Sequence, residues 1–552
     1  VTPARFSIVT PVYETPAKVL NAMLRSVRRQ RFADWELCLV DDASPSPHVQ
    51  EILRRAAQED PRIRVERRAE NGGIVAASND ALGLAEGEFV ALLDHDDKLH
   101  PDALALVDEA IRADPEADYV YSDEDKIGTR GIHGYPFLKP QWSPERMRTQ
   151  MYTCHLSVFR RSLVEAVGRF DPDFEGAQDW DLVLKVTERA RSVVHIPRVL
   201  YHWRELESST AALGEAAKPW AFEAGQRAIQ AHLERTGMQA VAERDPADPG
   251  VYHLEPRLEE EPLVSIVIPT AGQTREIRYQ QVSLVGNCVR SILTRSSYEN
   301  FEIVVVADSS TPDAAIEELR TLAGDRLRLV PFNGEFNFSK KINAGAVRSQ
   351  GEHLLLLNDD IEVATPNWIE RMVMYSALPE IGAVGGRLLL EDGRLQHAGV
   401  GFEGGLPGHP YHGHPGDGPG YANAVKIARN LLAVTGACLM TRKDAFEQVG
   451  GLSPLLPVNY NDVDYCLKLR AAGRRVVYDP DLVMYHFESS SRSSDVEDWE
   501  KDYLLSRWSG MTTPDPYSNP YLREGMPRLS SPFLWARRTL PRIKQRPARA
   551  PS

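Results

Sequence analysis

A chain that carries the same acid-tipped apolar strand twice, a domain's length apart, has few folds open to it. Val90-Ala91-Leu92-Leu93 runs straight into Asp94-His95-Asp96-Asp97, and Leu354-Leu355-Leu356-Leu357 runs into Asn358-Asp359-Asp360. Each apolar run is short enough for a buried strand. In an open α/β sheet, ligands gather beyond the carboxyl ends of the strands. Carboxylates released there can hold a divalent cation, and the cation can hold a phosphate. A single copy reads equally well as turn or helix-cap chemistry; the second copy shifts the balance toward a site.

The repeat extends well beyond these strands. Ser7-Ile8-Val9-Thr10-Pro11 returns as Ser265-Ile266-Val267-Ile268-Pro269, and Trp35 to Asp42 returns as Phe301 to Asp308. Gln178-Asp179-Trp180-Asp181-Leu182 returns as Asn461-Asp462-Val463-Asp464-Tyr465, and Tyr201-His202 as Tyr485-His486. Asp179 and His202 are 23 residues apart, Asp462 and His486 are 24 apart, so the closing segments match in length. Asp96 to Asp179 spans 83 residues against 102 from Asp360 to Asp462, which places the extra length in Gly385 to Leu432. Glycine and the histidines 397, 409, 412 and 414 concentrate there. That stretch is expected to be a flexible acceptor loop, with metal binding as the alternative. The whole is a tandem duplication of a domain of roughly 210 to 250 residues.

Within the first copy, β-rich runs at 6–11, 35–40, 63–65 and 88–93 alternate with helical spacing at 16–30, at 48–59 and after Asn71-Gly72-Gly73. That alternation predicts an α/β fold, a mostly parallel sheet wound with helices. The expected layout is a first domain over 1–215, a helix and linker over 216–261, a second domain over 262–510 and a basic tail over 511–552. Charge and proline mark 241–262 as the linker proper.

Composition narrows the function. With 42% hydrophobic and 26% charged residues the chain is an ordinary globular one. A formal net charge of −14 argues against nucleic acid as a partner. Five scattered cysteines, none at zinc-site spacing, read as buried thiols in a reducing compartment. No apolar run reaches the roughly 20 residues of a membrane span, and Val1-Thr2-Pro3-Ala4-Arg5 is no signal peptide. A cytoplasmic protein is expected. The tail sets Phe533-Leu534-Trp535 before Arg537, Arg538, Arg542, Lys544, Arg546 and Arg549. It is either a solvated tail or a peripheral contact with the inner face of an anionic membrane.

Taken together, Val40-Asp41-Asp42-Ala43-Ser44, Leu93-Asp94-His95-Asp96-Asp97, Gly176 to Leu182, Leu200 to Arg204, and their counterparts Asn358-Asp359-Asp360, Asn461 to Cys466 and Tyr485 to Arg492 resemble two fused glycosyltransferase family 2 domains of the GT-A fold. The resemblance is to bacterial enzymes that build O-antigen, capsule or similar surface polysaccharide. It implies nucleotide-sugar donors, UDP- or dTDP-linked first, one Mn²⁺ or Mg²⁺ per domain, and a glycan or lipid-linked glycan acceptor. It assigns metal contact to Asp96, His202, Asp360 and His486, and the general base to Asp179 and Asp462. Pro11, Tyr13, Asp41, Asp94, Pro269, Asp308 and Asn358 would line the donor site, Asp41 at the nucleobase. One base without a protein nucleophile implies single displacement with inversion. The second copy departs at Ala307, which stands where Asp41 stands in the first. Either Asp308 substitutes, or the nucleotide differs, or the second domain binds donor poorly; Ala307 thus makes it the candidate for the rival reading of a non-catalytic glycan-binding or scaffolding module. A sugar nucleotidylyltransferase is the rival enzyme, but Pro11-Val12-Tyr13-Glu14 and Pro269-Thr270-Ala271-Gly272 lack its glycine-rich phosphate loop. Asp181 and Asp464 are expected to brace their helices, with the general base as the alternative, Asp42 to serve a turn, and Asp123-Glu124-Asp125 to be an acceptor wall or a solvated turn.

Overall fold

The computed structural model describes residues 4–128, 131–205, 219–487, 496–523 and 526–527. The basic stretch beyond 527 and the Glu488 to Arg492 part of the second closing motif lie outside them. The first sheet is built from β1 (Phe6–Val12), β2 (Trp35–Asp41), β3 (Ile63–Arg67), β4 (Phe89–Leu92), β5 (Lys98–Leu99), β6 (Ala117–Ile127), β7 (His133–Phe137), β8 (Ser157–Arg160) and β9 (Ser192–Arg204). Its order is β3-β2-β1-β4-β8-β6-β9-β5, with β7 paired to β6. Neighbours in β3-β2-β1-β4 run parallel, and β8 is inserted antiparallel between β4 and β6. The run β2 is buried at all seven positions. A strand covered on both faces has no use for polar alternation, which is why it reads as a continuous apolar run.

A hairpin of β10 (Ala240–Arg244) and β11 (Tyr252–Pro256) follows the helix Pro219–Thr236. The stretch expected to be linker is therefore folded, and Tyr252 and Leu254 are buried in the core. The second large sheet follows, built from β12 (Val264–Thr270), β15 (Phe301–Asp308), β16 (Leu327–Phe332), β17 (His353–Leu357), β18 (Ile361–Val363), β19 (Ile381–Leu389), β20 (Leu395–His397), β23 (Arg429–Leu431), β24 (Cys438–Arg442) and β25 (Arg475–His486), while β13 (Thr274–Ile277) with β14 (Gln280–Ser283) and β21 (Gly401–Glu403) with β22 (Leu406–Gly408) form two separate hairpins. The order β16-β15-β12-β17-β24-β19-β25-β18 repeats the first sheet strand for strand.

The two copies also share buried polar anchors. Ser7 donates to Glu36 at 2.6 Å and receives the Gly87 N–H at 2.8 Å; Ser265 donates to Glu302 at 2.6 Å and receives the Gly351 N–H at 2.8 Å. A Cβ at Gly87 would lie 2.7 Å from the Ser7 nitrogen, so only glycine allows this approach. The Gly385 to Leu432 insertion holds β20 to β23 where a flexible loop was expected, with His397 buried and its Nδ1 2.9 Å from that of His409.

The domains are joined by polar contacts as well as by a continuous apolar core. Glu145 is fully buried and meets Arg475 at 3.0 Å, while the Ser143 hydroxyl and the Asn430 side chain lie 2.9 Å apart. The chain beyond the helix Asp498–Thr512 returns to the first domain, where Asn519 donates to Asp123 at 2.9 Å. Four of the five cysteines are buried and all are free thiols.

Candidate active sites

In the first domain the chain leaves β4 and turns through Asp94, His95 and Asp96 before β5. Burial raises the Asp96 carboxyl above its ordinary range; Asp94 adds to this, and His95 opposes it. Asp97 is spent on structure: it is fully buried and accepts the Tyr201 hydroxyl at 2.7 Å and the Arg204 N–H at 2.6 Å. Asp94 and Asp96 keep partial exposure. At the end of β2 the two acids divide their tasks. Asp42 accepts the N–H groups of Gly72 and Gly73, both at 2.9 Å, and so caps the helix Gly73–Leu84. Asp41 is 1% exposed, accepts the Ser44 N–H at 3.0 Å and lies 3.3 Å from the Arg67 guanidinium. Pro11 sits on β1, and Tyr13 just beyond it is 46% exposed.

Asp179 lies in the first turn of the helix Gln178–Thr187 and accepts the Trp180 N–H at 2.9 Å. Burial raises its carboxyl, with Asp94 adding its charge, against the opposing pull of His155 and the Trp180 N–H. Asp181, fully buried, is held by Lys185 at 2.7 Å and braces the helix as expected.

The second domain assembles its set in one cleft of about 1180 Å³, lined among others by Pro269, Asn358, Asp360, Asp462 and His486. Asp360 Oδ1 lies 3.0 Å from His486 Nε2, and the Asn358 amide is 3.4 Å from the same nitrogen. Gln396, from the insertion, bonds His486 Nδ1 at 2.6 Å and fixes the ring. Asp462 accepts the N–H groups of Gly436 and Val463, each at 2.8 Å. Asp464 is buried and accepts the Trp508 indole N–H at 2.8 Å. Asp308 leaves β15 and pairs with Lys341 at 2.8 Å.

The two closing histidines do not occupy matching places. In the second domain Ile361 pairs with His486 and Glu362 with Tyr485, whereas in the first Lys98 pairs with His202 and Leu99 with Tyr201. Lys98 stands two residues after Asp96 as Glu362 does after Asp360. His202 is therefore the partner of Tyr485, and Trp203 holds the place of His486. A slip of one residue sends a strand side chain to the opposite face. The His202 ring accordingly turns to Asp125, Nδ1 to Oδ1 at 2.6 Å, and His133 meets the other oxygen at 3.0 Å. The ligand atoms of Asp125, His133 and His202 all lie within 4.8 Å of one another, close enough to hold a cation. Asp123 and Glu124 are buried on β6 and Asp125 half-buried beside them, so of the two readings the solvated turn is not found.

A family model for "Glycosyl transferase family 2" matches residues 7–168 and again 265–450, the two repeated segments. The chain belongs to glycosyl transferase family 2. The O-antigen biosynthesis protein RfbC of Myxococcus xanthus is 38% identical over 94% of this chain and 40% of its own length. The uncharacterized protein y4gI of Sinorhizobium fredii is 41% identical over 94% of this chain and 57% of its own. The chain thus spans about half the length of these relatives. Among solved structures, S. aureus TarS 1–349 in complex with UDP-GlcNAc is 22% identical, covering 42% of this chain and 66% of that one at a TM-score of 0.35. The two matched segments carry the same sheet order, so both halves of this family 2 chain share one fold.

Sequence reasoning passed over three side chains at these sites. His155 precedes β8, its Nδ1 lies 3.2 Å from Glu124, and it stacks on Tyr201 at 4.6 Å. Burial alone would lower its imidazole, but Glu124, Asp94 and Asp97 outweigh that and hold it up to about 9. It places a positive charge among acids, and no counterpart in the second copy flags it. Gln396 lies in the unmatched insertion. Lys341 hides in an amphipathic helix, where one lysine is unremarkable.

Proposed function

We propose that each domain binds a nucleotide-diphospho-sugar and transfers its sugar, with inversion, to a growing bacterial surface glycan. The observation that carries this reading is the second cleft, where Asn358, Asp360, Asp462 and His486 face one cavity despite the loss of the Asp41 counterpart. A carboxylate beside an imidazole suits Mn²⁺ or Mg²⁺, so Asp360 and His486 would hold the cation there, and Asp94 with Asp96 would hold it in the first domain. Such an ion, when bound, neutralises the charge of the departing diphosphate. Asp462 and Asp179 then do the remaining work. Each is a carboxylate fixed by backbone N–H groups at a helix start, able to take the proton of an acceptor hydroxyl. The likeness to an O-antigen biosynthesis protein supports a surface polysaccharide as the product.

The test is turnover of a panel of UDP-, dTDP-, GDP- and CMP-sugars with Mn²⁺, followed by NMR of the product anomer. Transfer with inversion, lost in part in Asp179→Asn and in part in Asp462→Asn, is expected. A product of retained configuration would exclude single displacement. Full activity in Asp462→Asn would reduce the second domain to a binding module.

A further inference from the structure

The helix Phe338–Arg348 of the second domain carries a cation where the first domain has a methyl group. The equivalence is fixed by a shared latch. Asn79 donates to the Phe170 carbonyl at 2.8 Å and accepts the Phe170 N–H at 3.2 Å; Asn343 does the same with Leu452, at 2.8 and 3.0 Å. Two residues before each asparagine stand Ala77 and Lys341. Strand register makes the companion equivalence: Val12 pairs with Asp41 as Thr270 pairs with Ala307. So at neighbouring positions the second domain has lost a buried carboxylate and gained a buried ammonium.

Lys341 is 1% exposed, yet it lines the cleft beside Pro269, Thr270, Ala271 and Phe336. Its Nζ donates to Asp308 at 2.8 Å and to the Thr270 carbonyl at 3.1 Å. An ammonium has three N–H donors, and these contacts use two. Phe336, 40% exposed, sets an aromatic face with its centre 5.6 Å from the same nitrogen. A nucleobase entering the cleft beside this nitrogen can offer a carbonyl or ring nitrogen to the third N–H.

Resting on the donor-site reading above, we propose that the second domain reads the nucleobase of its donor through the Lys341 ammonium, held in place by Asp308. It recognises carbonyl or ring-nitrogen acceptors of the base, where the first domain offers the Asp41 carboxylate to a base N–H. The two clefts therefore differ in nucleobase selectivity, and Ala307 marks a changed readout.

The experiment is calorimetry on the full chain carrying Asp96→Ala, which removes the first domain's proposed metal carboxylate. UDP, CDP, GDP and ADP are titrated with Mn²⁺, and inorganic pyrophosphate with Mn²⁺ serves as the probe without a base. Lys341→Met is expected to weaken the preferred nucleotide by about tenfold to a hundredfold, the range for a hydrogen bond to a charged group. Pyrophosphate affinity should stay unchanged, which also shows that the cleft has folded, and Lys341→Arg should retain part of the nucleotide affinity. Unchanged nucleotide affinity in Lys341→Met, with binding still abolished by Asp360→Ala, would overturn the base readout and leave the donor site standing. Nucleotide and pyrophosphate both indifferent to Asp360→Ala would overturn the donor site itself.

Discussion

Asp179 shows at one residue how stability and chemistry pull apart. Its carboxyl is raised by burial, so folding disfavours the ionised form relative to the unfolded chain, while a raised pKa makes it the better proton acceptor. A carboxyl with a folded pKa above its unfolded one contributes stability at low pH that is lost as pH rises through the folded value. Asp179→Asn should therefore cost transfer at the first site about 10²- to 10⁴-fold while leaving thermal stability equal or higher. A drop in melting temperature as large as the drop in rate would mean that Asp179 is a helix brace. Asp181, buried against Lys185, is the contrast: Asp181→Ala should destabilise by about 3 kcal/mol in denaturant titration, since it strands the lysine. Recurrence as Asp462 and Asp464 marked both aspartates in the sequence but left open which is the base; burial of Asp181 against Lys185 is what sets them apart.

At the scale of elements, strand register decides which closing histidine meets the carboxylate of the acidic turn. The matching Tyr-His dipeptides are equivalent letter by letter, yet the pairing of β5 with β9 is offset by one residue from that of β18 with β25. Register belongs to the backbone ladder, which composition does not report. His486→Ala should weaken Mn²⁺-dependent nucleotide binding at the second cleft about tenfold or more, as loss of a metal-site partner typically does. His202→Ala should leave nucleotide binding at the first site within about twofold, because its ring faces Asp125 and His133. Equal losses from both substitutions, read by calorimetry, would put His202 back beside Asp96. The strands and helices themselves were legible, since doubly covered strands and amphipathic helices leave strong periodic signals. The hairpin of β10 and β11 was not, because β10 turns only the small Ala240 and Ala242 to the core, and Tyr252 and Leu254 of β11 are its one strong apolar signal.

For the whole molecule, the segment between the repeats acts as a clamp. Arg371, 1% exposed, meets Asp481 at 2.6 Å and Glu255 at 3.3 Å, and His253 on β11 meets Asp481 at 2.9 Å and Asp245 at 3.0 Å. Burial lowers the His253 imidazole, but these two carboxylates outweigh it and raise it to about 9. A histidine whose folded pKa lies above its unfolded value adds stability below about pH 6.5 and loses it as pH climbs through about 9. Unfolding free energy should fall by about 3 kcal/mol across that window, and His253→Gln should flatten the fall. No flattening would place the charge elsewhere. The clamp, the buried Glu145–Arg475 pair and the return of Asn519 onto the first domain tie the two halves together.

That two donor sites work in one chain is the claim on which the rest depends. The most direct measurement is the stoichiometry of Mn²⁺-dependent nucleotide-sugar binding by calorimetry, on the wild type, Asp96→Ala and Asp360→Ala. Two sites per chain, with each substitution removing its own, are expected. A single site lost only in Asp96→Ala would contradict the claim and leave the second cleft without a donor.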